Sequence, residues 1–284
     1  MVRFPTHSDF ENAERFSTDD VLRGVRPTPD VPPGVGFLRV QVDGRPEDVR
    51  FYGRVGGPSV APLVYLSSDC LQKVDGILSV FNSYREQSPL TVQNWAEQMS
   101  VSLGRTFLAL ARPGIFGSSG DHRERRRPRE VAIVGAALDA LKAAFGWTVI
   151  DLAGLSGGGH LVAALIADRS DVGCAVIASG NVSVRQRNAE MKWETDITGF
   201  SDFVDPIDLV DRVAKSPPRR LIVLTDPDDR IIPAASQSAY VAALRKAGVA
   251  VDHRLVRALE PTRHVLHEAA LFAAAANPSS SAAL

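Results

Sequence analysis

Three kinds of side chain in this sequence, taken together, could move an acyl group. The first is a serine. Ser156 stands between Gly154 and Gly158 in the stretch WTVIDLAGLSGGGHLVAALIADR, Trp147 to Arg169. An apolar run precedes it, and a second with helical spacing follows. The order Gly154-Leu155-Ser156-Gly157-Gly158 fits G-x-S-x-G, where small neighbours let the chain bend sharply from strand to helix and leave the hydroxyl projecting above a sheet. The second is an acid: DPDDRIIP follows the apolar run RRLIVLT and offers Asp226, Asp228 and Asp229. The third is an imidazole: EPTRHVLHE follows VDHRLVRAL and offers His264, just before the last helical stretch, and His267, three residues later. A serine hydroxyl is a poor nucleophile until a base takes its proton, and the base needs an orienting acid. His253 lies within a strand. His160 begins the helix after the serine and follows it in the same turn, a poor position from which to reach the hydroxyl.

These groups need a scaffold, and the hydrophobic patterning supplies one. FLRVQVDG and VRFYGRV alternate apolar and polar residues, as half-exposed strands do. APLVYLSS (61–68), TFLALARPG (106–114), WTVIDLAG, DVGCAVIASG and RRLIVLTD are nearly continuous apolar runs, the pattern of strands buried on both faces. Between them TVQNWAEQMSVSL, VAIVGAALDALKAAFG and SQSAYVAALRKAG read as helices, the last two closed by Gly146 and Gly248. VDHRLVRAL reads as a last strand and VLHEAALFAAAA as a last helix. Strands alternating with helices predict an α/β fold with a doubly wound, mostly parallel sheet. The first two strands have no helix between them, so they predict an antiparallel N-terminal edge. One domain is expected over 34–276, after a Pro-rich extension at 1–33 and before a frayed tail at 277–284. Residues 181–217 carry little regular signal beyond PIDLVDRVAK, so little or no cap is expected.

The bulk composition narrows the function. The chain has 284 residues, 45% of them hydrophobic, and a formal net charge of -1. That length holds a sizeable core, and the near-neutral balance gives no global attraction to nucleic acid or an anionic membrane. Cys70 and Cys174 sit beside apolar strands and form no framework, so reduced thiols are expected. The start MVRFPTHSDFENAERF has no apolar signal core, and no run approaches transmembrane length. The chain reads as a soluble cytoplasmic protein acting on a small-molecule acyl substrate, with no cofactor and no metal.

The elbow GLSGGGH, the acid loop DDRIIP and the late RHVLH together resemble the α/β-hydrolase superfamily. The strand–helix rhythm carries that resemblance over roughly 34–276. The acid loop is similar to that of the prolyl oligopeptidase and dienelactone hydrolase branches, whose acid is the second of two adjacent aspartates before Arg and an apolar pair. The resemblance implies Ser156 as nucleophile, Asp229 as orienter and His264 as base. An oxyanion hole needs two backbone N–H groups, one after the nucleophile and one from the loop after the third strand. Gly157 supplies the first. The chain departs from the family at the second, where His-Gly is common and YLSSDCLQ stands here, leaving Ser68 or Asp69. An anionic Asp69 beside a developing oxyanion is unfavourable unless its carboxylate points away.

Two features compete with this reading or extend it. Gly117-Ser118-Ser119-Gly120 is a second Gly-flanked serine site, but no periodic helix starts at once behind it. The resemblance places its loop at the border of the active site, which implies that Gly117, Ser118 and His122 line the pocket. The run Arg123 to Arg129 either greets an acidic substrate or forms a solvated face at a helix start. The expected activity is acyl hydrolysis through an acyl-enzyme, with carboxyl esters as the substrate class. The alternatives are a peptidase or amidase of the prolyl oligopeptidase type, without room for that family's propeller domain, and a ligand-binding module without turnover. A phosphate loop lacks its Lys-Ser/Thr pair.

Overall fold

The computed structural model describes residues 1–28, 34–57 and 61–276. The tail expected at 277–284 and the Pro-rich residues 29–33 lie outside the described residues. In chain order the elements are α1 (Thr18–Arg23), β1 (Phe37–Val42), β2 (Arg45–Arg54), β3 (Leu63–Leu66), β4 (Leu71–Val74), β5 (Ile77–Val80), α2 (Asn82–Arg85), α3 (Pro89–Leu103), β6 (Phe107–Leu110), α4 (Pro128–Phe145), β7 (Ile150–Leu155), α5 (Gly157–Leu165), β8 (Val172–Ala178), α6 (Val184–Glu190), α7 (Val210–Lys215), β9 (Arg220–Thr225), α8 (Ala234–Lys246), β10 (Asp252–Leu255) and α9 (His267–Ala275).

Eight strands form one sheet in the order β1-β2-β6-β3-β7-β8-β9-β10. β1 pairs antiparallel with β2, and β2 antiparallel with β6. Every other pairing in this sheet is parallel. The sheet is therefore doubly wound and mostly parallel, with an antiparallel N-terminal edge. Asp43-Gly44, both at positive φ (52° and 71°), makes the two-residue turn whose twist suits the β1–β2 hairpin. β3 and β7 are buried along their whole length, which is why their sequences run apolar rather than alternating.

Helices cover both faces. On one, Leu138 of α4, Leu161 of α5 and Leu244 of α8 pack against Val64, Leu152 and Val223. On the other, Ala96 of α3 and Leu271 of α9 pack against Tyr65, Ala153 and Ile222. The helix ends follow local chemistry. Ser88 and Thr91 form a reciprocal capping box at the start of α3, with Pro89 in its first turn, and left-handed Gly104 ends it. Pro128 opens α4, and Gly146 at φ 70° closes it.

Three features go beyond the sequence reading. Residues 1–28 lie against the sheet: Phe4 packs on Phe51, Phe145 and Trp147, while Phe10 and Val21 are buried. β4 and β5 form a separate antiparallel hairpin beside the main sheet. The β8–β9 connection holds α6 as well as α7. Among the described residues, no helix is long and apolar enough to cross a membrane. Both cysteines are free and buried.

Candidate active site

In a parallel sheet of this kind the loops at the carboxyl ends of the strands share one rim. Ser156 follows β7, Asp229 follows β9 and His264 follows β10, so all three sit on that rim.

Ser156 is the residue between β7 and α5, and its backbone is strained, with φ 56° and ψ -112°. Positive φ costs a non-glycine residue on the order of 1–3 kcal/mol and persists only where the surroundings hold it. Here they do. Ser156 N–H donates to Ala178 O at 2.9 Å, and Ser156 O accepts from His160 N–H at 2.9 Å and from Asn181 N–H at 3.4 Å. The glycines around it have a steric cause. A Cβ on Gly154 would overlap the backbone of Gly158, one on Gly158 would overlap the carbonyls of Leu66 and Ser67, and one on Gly157 would overlap Asp69 Oδ1 and Arg112 Nη1. The turn is thus pressed against the end of β3, and only glycine fits at the contacts.

Asp229 and His264 meet. His264 Nδ1 lies 2.8 Å and 3.0 Å from the two carboxylate oxygens of Asp229. Oδ1 also accepts from the N–H groups of Ile231 (2.8 Å) and Ile232 (2.9 Å), which fixes the carboxylate in its own turn. With Nδ1 engaged, Nε2 has no partner among the described residues, and neither it nor Ser156 Oγ is sealed from solvent. Ser156 Oγ makes no hydrogen bond to a described residue. Two further acids hold the imidazole loop. Asp226, fully buried, accepts from Arg263 Nε at 2.7 Å and Nη2 at 2.8 Å, and from Ala258 N–H at 2.7 Å. The Arg263 bonds hold the Asp226 carboxyl down at about 2. Glu260 accepts from Thr262 Oγ1 (2.7 Å) and from the N–H groups of Val265 (2.8 Å) and His264. Burial would raise this carboxyl, but those donors hold it at about 2. Asp228 is 72% exposed at its side chain and only grazes Arg263, at 3.3 Å. His267 is the first residue of α9.

The loop after β3 packs directly on the elbow. The N–H groups of Ser68, Asp69 and Gly157 have no acceptor among the described residues. Asp69 turns its carboxylate to a buried group of arginines: Arg112 Nη1 at 2.8 Å, Arg126, and Arg125 Nη1 at 3.6 Å. Arg112, wholly buried, continues to Glu130 at 2.7 Å, and Arg125 and Arg126 reach Asp196 at 2.9 Å and 2.5 Å. Burial opposes the Asp69 charge, but Arg125, Arg126 and Arg112 hold its carboxyl well below the usual range. Of the Arg123–Arg129 run, Arg125 and Arg126 are therefore neither a solvated face nor an open substrate site. They are internal partners of Asp69 and Asp196. His160, also buried, bonds Asn181 O through Nδ1 at 3.0 Å; burial first, then Arg126, lower its pKa to about 3.

Beside Ser68 and Asp69 opens an apolar cavity of about 230 Å³, whose lining includes the rings of Tyr65, Trp95, Tyr84 and Phe116. Tyr52 OH, at its wall, is committed to Phe116 O at 2.8 Å. Neither Ser156 nor His264 belongs to this lining. From the 112–122 loop, Phe116 faces the cavity in place of the expected Gly117, Ser118 and His122. Gly117 sits in the turn at φ 83°. Ser118 and His122 are wholly buried. Ser118 Oγ accepts from Arg50 N–H at 2.9 Å, and His122 Nε2 accepts from Cys70 N–H at 3.2 Å, so both brace the scaffold from behind.

No family sequence model matches this chain, and no curated protein matches it in sequence. Solved structures do match. The Pyrococcus furiosus esterase Pf2001 superposes with a TM-score of 0.55 at 10% identity, over 89% of this chain and 90% of the esterase. A putative dienelactone hydrolase from Klebsiella pneumoniae gives 0.50 at 15% identity, over 87% of this chain and 92% of that one. The Pyrococcus horikoshii acylaminoacyl peptidase gives 0.53 at 13% identity, over 78% of this chain but only 36% of the peptidase. The chain has the α/β-hydrolase fold. Within the hydrolase fold the supporting residues missed by sequence reasoning are Arg112, Glu260 and Arg263, while Asp226, one of the three candidate acids, braces the imidazole loop instead of orienting the ring. Arg112 supports the β3 loop and the others the imidazole loop. The TRH triplet and the ARPG stretch mark Arg263 and Arg112, whose partners Asp226 and Asp69 lie 37 and 43 residues away, whereas Glu260 bonds only its own loop.

Proposed function

We propose that this protein is a serine hydrolase that cleaves carboxylic esters through an acyl-enzyme, with Ser156 as nucleophile, His264 as base and Asp229 as its orienter. The observation that carries the reading is the Asp229–His264 pair. It fixes the imidazole with Nε2 unpartnered, on the same rim as a strained serine.

His264 Nε2 takes the Ser156 hydroxyl proton as Oγ bonds to the ester carbonyl carbon. The carbonyl oxygen becomes an oxyanion, received by the free N–H of Gly157 and that of Ser68 or Asp69. Asp69 is compatible with this role because its carboxylate is spent on arginines. Collapse breaks the bond to the alcohol oxygen, which leaves with the proton from His264. Water then repeats the sequence, its proton passing to His264 and its oxygen to the acyl carbon, and Ser156 is released. Asp229 keeps Nδ1 protonated and offsets the imidazolium charge. The apolar cavity beside Ser68 suits an uncharged, ring-sized part of the substrate.

The test is a fluorophosphonate probe with mass spectrometry, paired with turnover of p-nitrophenyl butyrate. An adduct on Ser156, and a Ser156→Ala protein that is folded but inert, are the expected results. An adduct on Ser118 or Ser119 moves the nucleophile. A protein that takes no adduct and turns nothing over belongs to the binding-module class instead.

A further inference from the structure

α6 enters the rim from the β8–β9 connection, just after the segment whose Asn181 N–H bonds Ser156 O. Its Arg187 is only 7% exposed. Arg187 Nε donates to Ile231 O at 3.1 Å, and its guanidinium lies over the Trp193 ring at 4.6 Å. Ile231 belongs to the turn that binds the Asp229 carboxylate, so one turn connects Arg187 to the Asp229–His264 pair.

This arginine lacks what the neighbouring arginines have. Among the described residues no carboxylate lies within salt-bridge distance of it, and neither terminal nitrogen has a partner, although both reach solvent. Asp196 and Asp69 are near enough to act on it through space, but each is already engaged by Arg125 and Arg126. Among the described residues Arg112, Arg125 and Arg126 pair with Asp69, Glu130 and Asp196, and Arg187 has no paired carboxylate of its own. A buried cation held in place by its Nε and its π-face, with its fork left open, is prepared for a planar anion. In the connecting loop, the side-chain amide of Asn181 and the hydroxyl of Ser183 are buried without partners among the described residues.

We propose that Arg187 binds a free carboxylate on the substrate, so that the preferred esters carry a second, ionised acid group on the part of the molecule that extends over α6. The inference rests on the serine-hydrolase reading for its reaction, but not for its binding site. Bidentate pairing with a guanidinium that is mostly buried favours an acidic substrate over its neutral isostere by about tenfold or more.

The experiment compares kcat/KM for p-nitrophenyl hemiglutarate and p-nitrophenyl valerate in wild type, Arg187→Gln and Arg187→Lys. Glutarate binding to the Ser156→Ala protein, followed by NMR with and without Arg187→Gln, needs no turnover. The expected result is a wild-type preference for the hemiglutarate that collapses toward unity in Arg187→Gln and is partly kept in Arg187→Lys. If both esters lose activity together and their ratio is unchanged, Arg187 only ties α6 to the acid turn and the proposal falls. A wild type that hydrolyses valerate without preferring the hemiglutarate also overturns it, while the hydrolase reading stands. If neither ester reacts but Ser156→Ala binds glutarate through Arg187, the anion site stands and the hydrolase reading falls.

Discussion

The rim of this sheet carries two buried ionic assemblies, and they are built differently. Around the imidazole loop the partners are local. Asp226, Asp229, Glu260, Arg263 and His264 come from two consecutive strand ends, and nearly every carboxylate oxygen is also tied to backbone N–H groups. Around the β3 loop the partners are distant. Asp69, Arg112, Arg125, Arg126, Glu130 and Asp196 come from three separate connections, and side chains mostly neutralise side chains. The first arrangement sets the angle of one ring. The second presses a loop onto the glycine elbow and hides an aspartate charge from it. Local assemblies can be edited with a local effect, whereas the distributed one should respond as a unit.

The sharpest test of this contrast lies within the imidazole loop. Asp229→Asn and His264→Ala should each lower turnover of p-nitrophenyl butyrate by about 10³- to 10⁴-fold, with circular dichroism unchanged. Asp228→Asn and His267→Ala should stay within about tenfold. Equal losses at Asp228 and Asp229 would break the claim that one carboxylate orients the ring, and an inert His267→Ala protein would shift the base by one turn.

The next effect is on stability. Arg112→Leu leaves Asp69 and Glu130 buried without their shared cation, and removing one partner of such a group costs about 3–5 kcal/mol. Urea unfolding measures it. A change below about 1 kcal/mol would mean that the distributed assembly relaxes as easily as a surface pair.

The smallest effect concerns acid. The Asp226 carboxyl is held at about 2 when folded, against 3.8 for an ordinary aspartate. A depressed carboxyl contributes stability that is fully present above its unfolded value and lost as pH falls through its folded value. Wild-type Tm should therefore drop between about pH 4 and pH 2, and the Asp226→Asn protein should show a shallower drop over that range. Parallel curves would remove Asp226 as a source of the acid limb.

The same contrast explains what the sequence revealed. Buried strands could be read because each is a run of apolar residues, and Asp226, Asp228 and Asp229 could be offered because they follow such a run, but the choice of Asp229 and His264 rested on the family resemblance, His264 coming after a mostly exposed strand. The strand order could not be read, since β3 lies between β6 and β7 through contacts far apart in the chain. The β4–β5 hairpin has strands of four residues, and the exposed Lys73 and Ile77 blur its pattern. The arginine run looked like surface because composition alone suggests it. Only Asp69 and Asp196, both more than fifty residues away along the chain, make Arg126 internal.

The elbow glycines also set the limits within which this sequence can drift. A point change that replaces a glycine yields a residue with a Cβ or a stop. At Gly44 or Gly76 such a carbon would find open space, and only the backbone angle would object. At Gly154 and Gly158 it would meet main chain, and at Gly157 the side-chain ends of Asp69 and Arg112, which their ion pair holds in place. None of these three glycines thus has a tolerated replacement one base away. A saturation library of this chain should show the turn around Ser156 as a gap in permitted variation, even under selection for folding alone.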